Sequence, residues 1–146
     1  VIAFSAYLSI IALSGCNNGG GASESDNAVS GFQALAAKVD SQLASTLANA
    51  YGNAYKITQS VSYDVQETDS LVSPYSGTLF FYLQDLENDS SNVDGDRFTG
   101  EYAFQDGRWY CKSIKADYRS GQSVVWREGW DESFMPELSR LLRSTN

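Results

Sequence analysis

The chain reads as an α+β domain in which one long helix precedes an antiparallel β-meander and a short helix closes the fold. Three patterns carry this expectation: an apolar stripe at three- and four-residue spacing early in the chain, alternation of apolar and polar positions through its middle, and tight-turn signals between the alternating stretches. A chain of 146 residues has room for one domain of ordinary size and not for two. Its 42% hydrophobic and 13% aromatic residues supply a core, and 19% charged residues is below the content of disordered chains.

The helix is expected to open at Ser30, where Ser30-Gly31-Phe32-Gln33 has a capping-box arrangement. Phe32, Leu35, Ala36, Val39, Leu43, Leu47 and Ala50 then form one stripe, and Gly52 supplies the stop. Tyr55, Ile57, Val61, Tyr63 and Val65 alternate with polar residues as a half-buried strand does. A second strand is expected over residues 77–86, with Leu79, Phe81 and Leu83 on one face and Phe80 and Tyr82 on the other. Ser73-Pro74-Tyr75 before it reads as an ordered loop, because proline cannot donate in a central ladder. Residues 97–105 and 108–118 form a hairpin about Asp106-Gly107, a strong two-residue turn signal. Ser120-Gly121-Gln122 turns the chain into a short strand over residues 123–128. Residues 131–143 read as the closing helix, with Phe134, Leu138, Leu141 and Leu142 on one side and Pro136 inside its first turns. A long helix packed on a four- to five-stranded meander is similar in element order to cystatin-like folds, with an NTF2-like cone as the alternative. The chain lacks the Gln-Val-Val-Ala-Gly type segment by which cystatins plug proteases, so the resemblance implies architecture and no inhibitory role.

Residues 1–13 carry no charge, and such a run suits the hydrophobic region of a signal peptide, being shorter than the ~20 residues a spanning helix needs. The positively charged segment that normally precedes it is missing from the sequence. Leu13-Ser14-Gly15-Cys16 follows. This stretch resembles the lipobox of bacterial lipoproteins: small residues admit the extended backbone to a peptidase cleft, and the thiol takes a diacylglycerol. The resemblance implies cleavage before Cys16, with lipid on Cys16 and an acyl chain on its new amine, and two or more chains give stable anchoring. It also implies a location on the extracytoplasmic, periplasmic side of a cell-envelope membrane. Residues 17–27, rich in Asn, Gly and Ser, read as a flexible tether. The expected division is thus a signal peptide over residues 1–15, a lipidated tether over 16–29 and one domain over 30–146. An ordinary secretory signal, or a disulfide between Cys16 and Cys111, is the competing reading of the same residues. With Cys16 acylated, Cys111 is expected to be a buried free thiol.

A net charge of -8 with no histidine narrows the chemistry. Nucleic-acid binding is disfavoured, because phosphate recognition runs on Lys and Arg. The absence of imidazole removes the usual base of Ser and Cys hydrolases and the commonest zinc ligand. No catalytic set is expected, and the chain is read as a non-enzyme. Asp64, Glu67, Asp69, Asp85, Glu87, Asp89, Asp94 and Asp96 form an acidic stretch with no intervening Lys or Arg. On one face they would attract cations or basic partners; as a solvated surface they would aid solubility. Within this stretch Asn92, Asp94, Gly95 and Glu101 fall at the third, fifth, sixth and twelfth positions of an EF-hand-like loop counted from Ser90. Asn92, Asp94, Asp96 and Glu101 are therefore candidate Ca²⁺ ligands, with Ser90 where Asp is expected and strands in place of the flanking helices. A hairpin loop with an Asp-Gly turn explains the same residues. The aromatics Tyr102, Phe104, Trp109, Tyr110, Tyr118, Trp126 and Trp130 either line a concave ligand face or fill the core.

Anchor, tether and missing catalytic set together point to a membrane-tethered protein-binding or envelope assembly module, with an envelope protein as partner. The rival expectation is a carrier that holds a small apolar or saccharide ligand between helix and sheet.

Overall fold

A computed structural model describes residues 7–8, 23–127 and 135–144. Helix α1 spans Glu24–Tyr51. Ser23 caps it, its hydroxyl accepting from the Asp26 N–H at 3.2 Å, and Glu24 and Asp26 place negative charge against the positive end of the helix dipole. The helix therefore starts ahead of Ser30, which lies inside it and turns its hydroxyl back to the Asn27 carbonyl at 3.4 Å. The Ser30 capping box is not used, because Ser23 caps first and Ala28, fully buried, extends the apolar stripe by a turn. Residues 24–29, expected as tether, are helical; Cys16 and residues 17–22 lie outside the described residues. At its other end Gly52, with φ of 63°, stops the helix as expected, and its N–H donates to the Ala48 carbonyl.

The sheet comprises β1 (Tyr7–Leu8), β2 (Tyr55–Glu67), β3 (Tyr75–Asp85), β4 (Asp96–Gln105), β5 (Arg108–Asp117) and β6 (Ser123–Arg127), in that spatial order. β2 to β6 form the antiparallel meander, while the two-residue β1 runs parallel to the outer edge of β2 at Asp64 and Val65. Asp106 and Gly107 both take positive φ, 54° and 75°, the geometry whose twist matches a two-residue hairpin. β2 breaks register twice between Ile57 and Ser62. The Val61 N–H is taken up by the Asp40 carboxylate of α1 at 3.2 Å.

Helix α2 (Pro136–Arg143) begins later than residue 131, residues 131–134 lying outside the described residues. Pro136 falls in the first turn, where a missing N–H leaves no hydrogen bond unmade. α2 returns alongside α1: the Tyr51 hydroxyl donates to Glu137 at 3.1 Å near one end, and Lys38 donates to the Ser144 hydroxyl at 2.9 Å near the other. Both helices cover the same face of the sheet. Leu138, Leu141 and Leu142 join Leu35, Val39, Leu43 and Leu47 against Leu79, Phe81, Phe98 and Ile114.

Phe32 lies at the centre of this core, its ring 4.7 Å from Trp109 and 5.3 Å from Tyr102. Gly77 makes room for it. A Cβ there would stand 2.6 to 2.9 Å from the Phe32 ring, so only glycine lets the aromatic lie on the β3 backbone. The two polar groups on these rings are satisfied, Trp109 Nε1–H donating to the Ala28 carbonyl at 2.8 Å and Tyr102 O–H to the Leu142 carbonyl at 2.5 Å.

Because every strand of the meander reverses the last, the domain has two distinct ends. One holds the start of α1, the β2–β3 loop and the Asp106-Gly107 turn. The other holds the end of α1, the segment joining β3 to β4 and the turn at Gly121.

Candidate functional site: the open sheet face and its acidic rim

Among the described residues no helix covers the second face of the sheet, and its centre is not the polar surface that strand alternation would produce. β3 turns Leu79, Phe81 and Leu83 into the core and leaves Phe80 and Tyr82, both half-buried, on the open face. Register then builds two neighbouring rows across the sheet: Ser62, Phe80, Thr99, Lys115 and Val125; and Gln59, Tyr82, Arg97, Asp117 and Ser123. The Arg97 guanidinium lies 4.1 Å from the centroid of the Phe80 ring, a cation–π contact, while its Nε–H donates to the Thr99 hydroxyl at 3.3 Å. Phe80 and Tyr82 meet edge to face at 6.5 Å. Aromatic, tyrosine and arginine side chains held in one geometry are the residue types that dominate binding at protein interfaces. Lys115 and Asp117, paired at 3.5 Å, and Val125 continue the patch toward the β6 edge.

At the far end of the same strands the chain between Asp85 and Asp96 forms a tightly bonded rim. The Asp85 carboxylate accepts from the N–H groups of Glu87 and Asn88 at 3.1 and 2.9 Å. Asp96, buried, accepts on one oxygen from the Asn92 amide at 3.1 Å and from the Arg119 N–H at 3.0 Å. Arg119 bridges outward to Asp89 at 2.9 Å. Gly95 takes φ of 83° and sits against the Leu83 backbone, where a Cβ would come within 2.9 Å of the carbonyl and 2.6 Å of the Thr58 hydroxyl.

These contacts account for the residues that the sequence presents as a calcium loop. Asn92 and Asp96 are brought together, but by a hydrogen bond inside the loop. Asp94 is exposed, and its carbonyl accepts from Thr58 at 2.7 Å. Glu101 is not brought near them. It lies five residues along β4 from Asp96, about 16 Å at strand rise, on the opposite face, and accepts from Ser113 at 3.3 Å. An EF-hand needs its twelfth residue to fold back over the loop, and a strand carries it away. Among the described residues no group of three or more His, Cys, Asp or Glu side chains is gathered to hold a metal ion. The acidic stretch does not form one face either: Asp64, Glu67 and Asp69 lie toward the end at the start of α1, and Asp85, Glu87, Asp89, Asp94 and Asp96 lie at the other.

The helix-facing side of the sheet is packed at its centre, and an open cleft remains beside the end of α1, lined by Leu47, Ala48, Tyr55, Ile57 and Leu86. Tyr102, Phe104 and Trp109 are buried under α1, with Phe32 and Phe81 packed among them. Tyr110 lies on the open face beneath Arg108, and Trp130 lies outside the described residues. Cys111 is a half-buried free thiol whose pKa burial pushes up to about 12, so it is held as the unreactive protonated form. No helix among the described residues is long and apolar enough to cross a membrane.

Sequence reasoning passed over Phe80, Tyr82, Arg97 and Thr99 as a group. The signal was present in β3, whose residues 79–83 are apolar or aromatic at every position. A strand with only one covered face has no packing reason for that. No family model matches the chain, and neither a curated protein nor a solved structure matches it.

Proposed function

We propose that the chain is a membrane-tethered, non-enzymatic protein-binding module of a bacterial envelope, lipid-anchored through Cys16 and docking an envelope protein on its open sheet face. One observation carries the binding part: Arg97 laid on Phe80 beside Tyr82, on a face that neither helix covers. The partner that fits has an acidic or carbonyl-rich spot for the guanidinium at its centre and basic residues opposite the rim of Glu87, Asp89 and Asp94. The anchor part is supported by the uncharged run that ends at Leu13-Ser14-Gly15-Cys16. Protein docking is favoured over the carrier reading by the dense packing of aromatic side chains between α1 and the centre of the sheet; the cleft that remains beside the end of α1, lined by Leu47, Ala48, Tyr55, Ile57 and Leu86, is open to solvent.

A photo-crosslinking side chain at position 82, introduced in the native envelope, is expected to capture one discrete protein. The adduct should weaken when Arg97→Ala is added, and should be absent from the same probe at Gln33 on the exposed side of α1. Equal capture from positions 82 and 33 would remove the docking face. Mass spectrometry of the N-terminal peptide reads the anchor separately, by the acyl mass on Cys16.

A further inference from the structure

The β2–β3 loop presents its two aliphatic residues to solvent almost without cover: Leu71 is 98% exposed and Val72 70% exposed. The loop holds its shape through its own hydroxyls. Thr68 donates through its N–H to the Pro74 carbonyl at 2.8 Å and through its hydroxyl to the Ser73 carbonyl at 2.6 Å. The same Thr68 hydroxyl accepts from the Ser70 N–H at 3.1 Å, and the Ser70 hydroxyl accepts from the N–H groups of Val72 and Ser73 at 3.2 and 3.0 Å. The backbone N–H groups of Thr68, Ser70, Val72 and Ser73 are thus already paired within the loop, so drawing it out of water does not strand those donors.

The loop also stands at the end of the domain where α1 starts. Tyr75, the first residue of β3, is buried beside the first turn of α1, close enough that the Glu24 charge adds to burial in raising its pKa. From the cap at Ser23 only seven residue steps lead back to Cys16, a distance of at most about 25 Å even fully extended. A lipid on Cys16 therefore holds this end of the domain, tip included, within reach of the bilayer surface and at high effective concentration there.

We propose that Leu71 and Val72 form a second membrane contact, dipping into the headgroup boundary of a zwitterionic bilayer beside the Cys16 anchor; this rests on the anchor reading above. The lipid must be zwitterionic rather than anionic, because Glu67 and Asp69 flank the tip and Glu24 lies nearby.

The test uses the chain recovered from envelope membranes and reconstituted in phosphatidylcholine vesicles, with and without brominated acyl chains. Leu71→Trp replaces a side chain that touches nothing, and Val93→Trp, 68% exposed at the opposite end, is its control. Expected is that the emission added by Leu71→Trp is blue-shifted and lost in brominated lipid, while that added by Val93→Trp is unaffected. Flotation of the vesicles is read in parallel. If the chain floats and Leu71→Trp is unquenched, the tip contact is wrong and the anchor stands, and the exposed pair becomes a surface for a protein. If the chain does not float, the anchor reading fails and takes the tip contact with it.

Discussion

Phe32 lies directly on the Gly77 backbone in the core, and the room between them is set by one missing methyl. Gly77→Ala forces the Phe32 ring to shift within a core that is otherwise closed, and should destabilise the domain by about 1–3 kcal/mol. Phe32→Ala, which leaves a cavity among Trp109, Tyr102 and β3, should cost about 3–5 kcal/mol. The double variant should cost less than the sum, because without the ring the alanine has space. Urea titration of the three variants reads all of these, and strict additivity would show that the two residues do not meet. Arg97 belongs to the same scale with the opposite character. It stacks on a half-exposed ring, so Arg97→Ala should change stability by no more than about 1 kcal/mol while it weakens crosslinking from position 82.

At the level of elements, the two serines at the start of α1 separate two accounts of where the helix begins. Ser23→Ala removes the hydroxyl that caps the Asp26 N–H and should cost about 1 kcal/mol. Ser30→Ala, in the helix interior, should be neutral to within about 0.5 kcal/mol. Reversal of the two would return the cap to Ser30. The same element shows what the sequence makes legible and what it hides. The stripe from Phe32 to Leu47 and the alternation in β2 are local periodicities; the stripe is buried, and in β2 Val65 is buried while Tyr55, Ile57, Val61 and Tyr63 pack half-buried against the core. The true helix start was obscured because Asn, Ser and Gly composition dominates the residues before it, while the single Ala28 that joins the stripe is too small to signal burial alone. The hairpin at Asp106-Gly107 was legible because positive φ at two successive residues has few sequence solutions. The rim between β3 and β4 was ambiguous for a related reason. Asn, Asp and Gly are selected both by calcium loops and by tight turns, and spacing does not reveal that the strand carries Glu101 to the opposite face. A chelator is accordingly expected to leave the melting temperature unchanged; a fall on adding it would show that the rim gathers oxygens around a cation. The Arg97 patch was not legible, since it is assembled by register across β3 and β4 and no single strand contains it.

Taken whole, the molecule buries acids that are neutral when protonated, and this sets its pH response. Burial raises Tyr118, Cys111 and Tyr51 to about 12, Tyr51 with help from its hydrogen bond to Glu137, and it holds Tyr102 well above its ordinary value. Below pH about 9 folded and unfolded chains both keep these protons. Above it the unfolded chain releases them at ordinary thiol and phenol values while the folded chain retains them up to about 12. The unfolded state then binds fewer protons, so stability falls as pH rises between about 9 and 12. The melting temperature should drop steadily across that window, and Tyr51→Phe together with Tyr118→Phe should flatten the drop. An unchanged slope in the double variant would place the alkaline response elsewhere. The order of the sheet has a further consequence, for the way such a chain is made. From β2 to β6 each strand pairs with the one synthesised just before it, and the first long element, α1, is the platform on which they land. Short-range pairings of this kind close small loops and assemble quickly. A polypeptide emerging amino terminus first can therefore build its sheet hairpin by hairpin. Of the described elements, only α2 waits for the end of the chain before it seals the second half of the core.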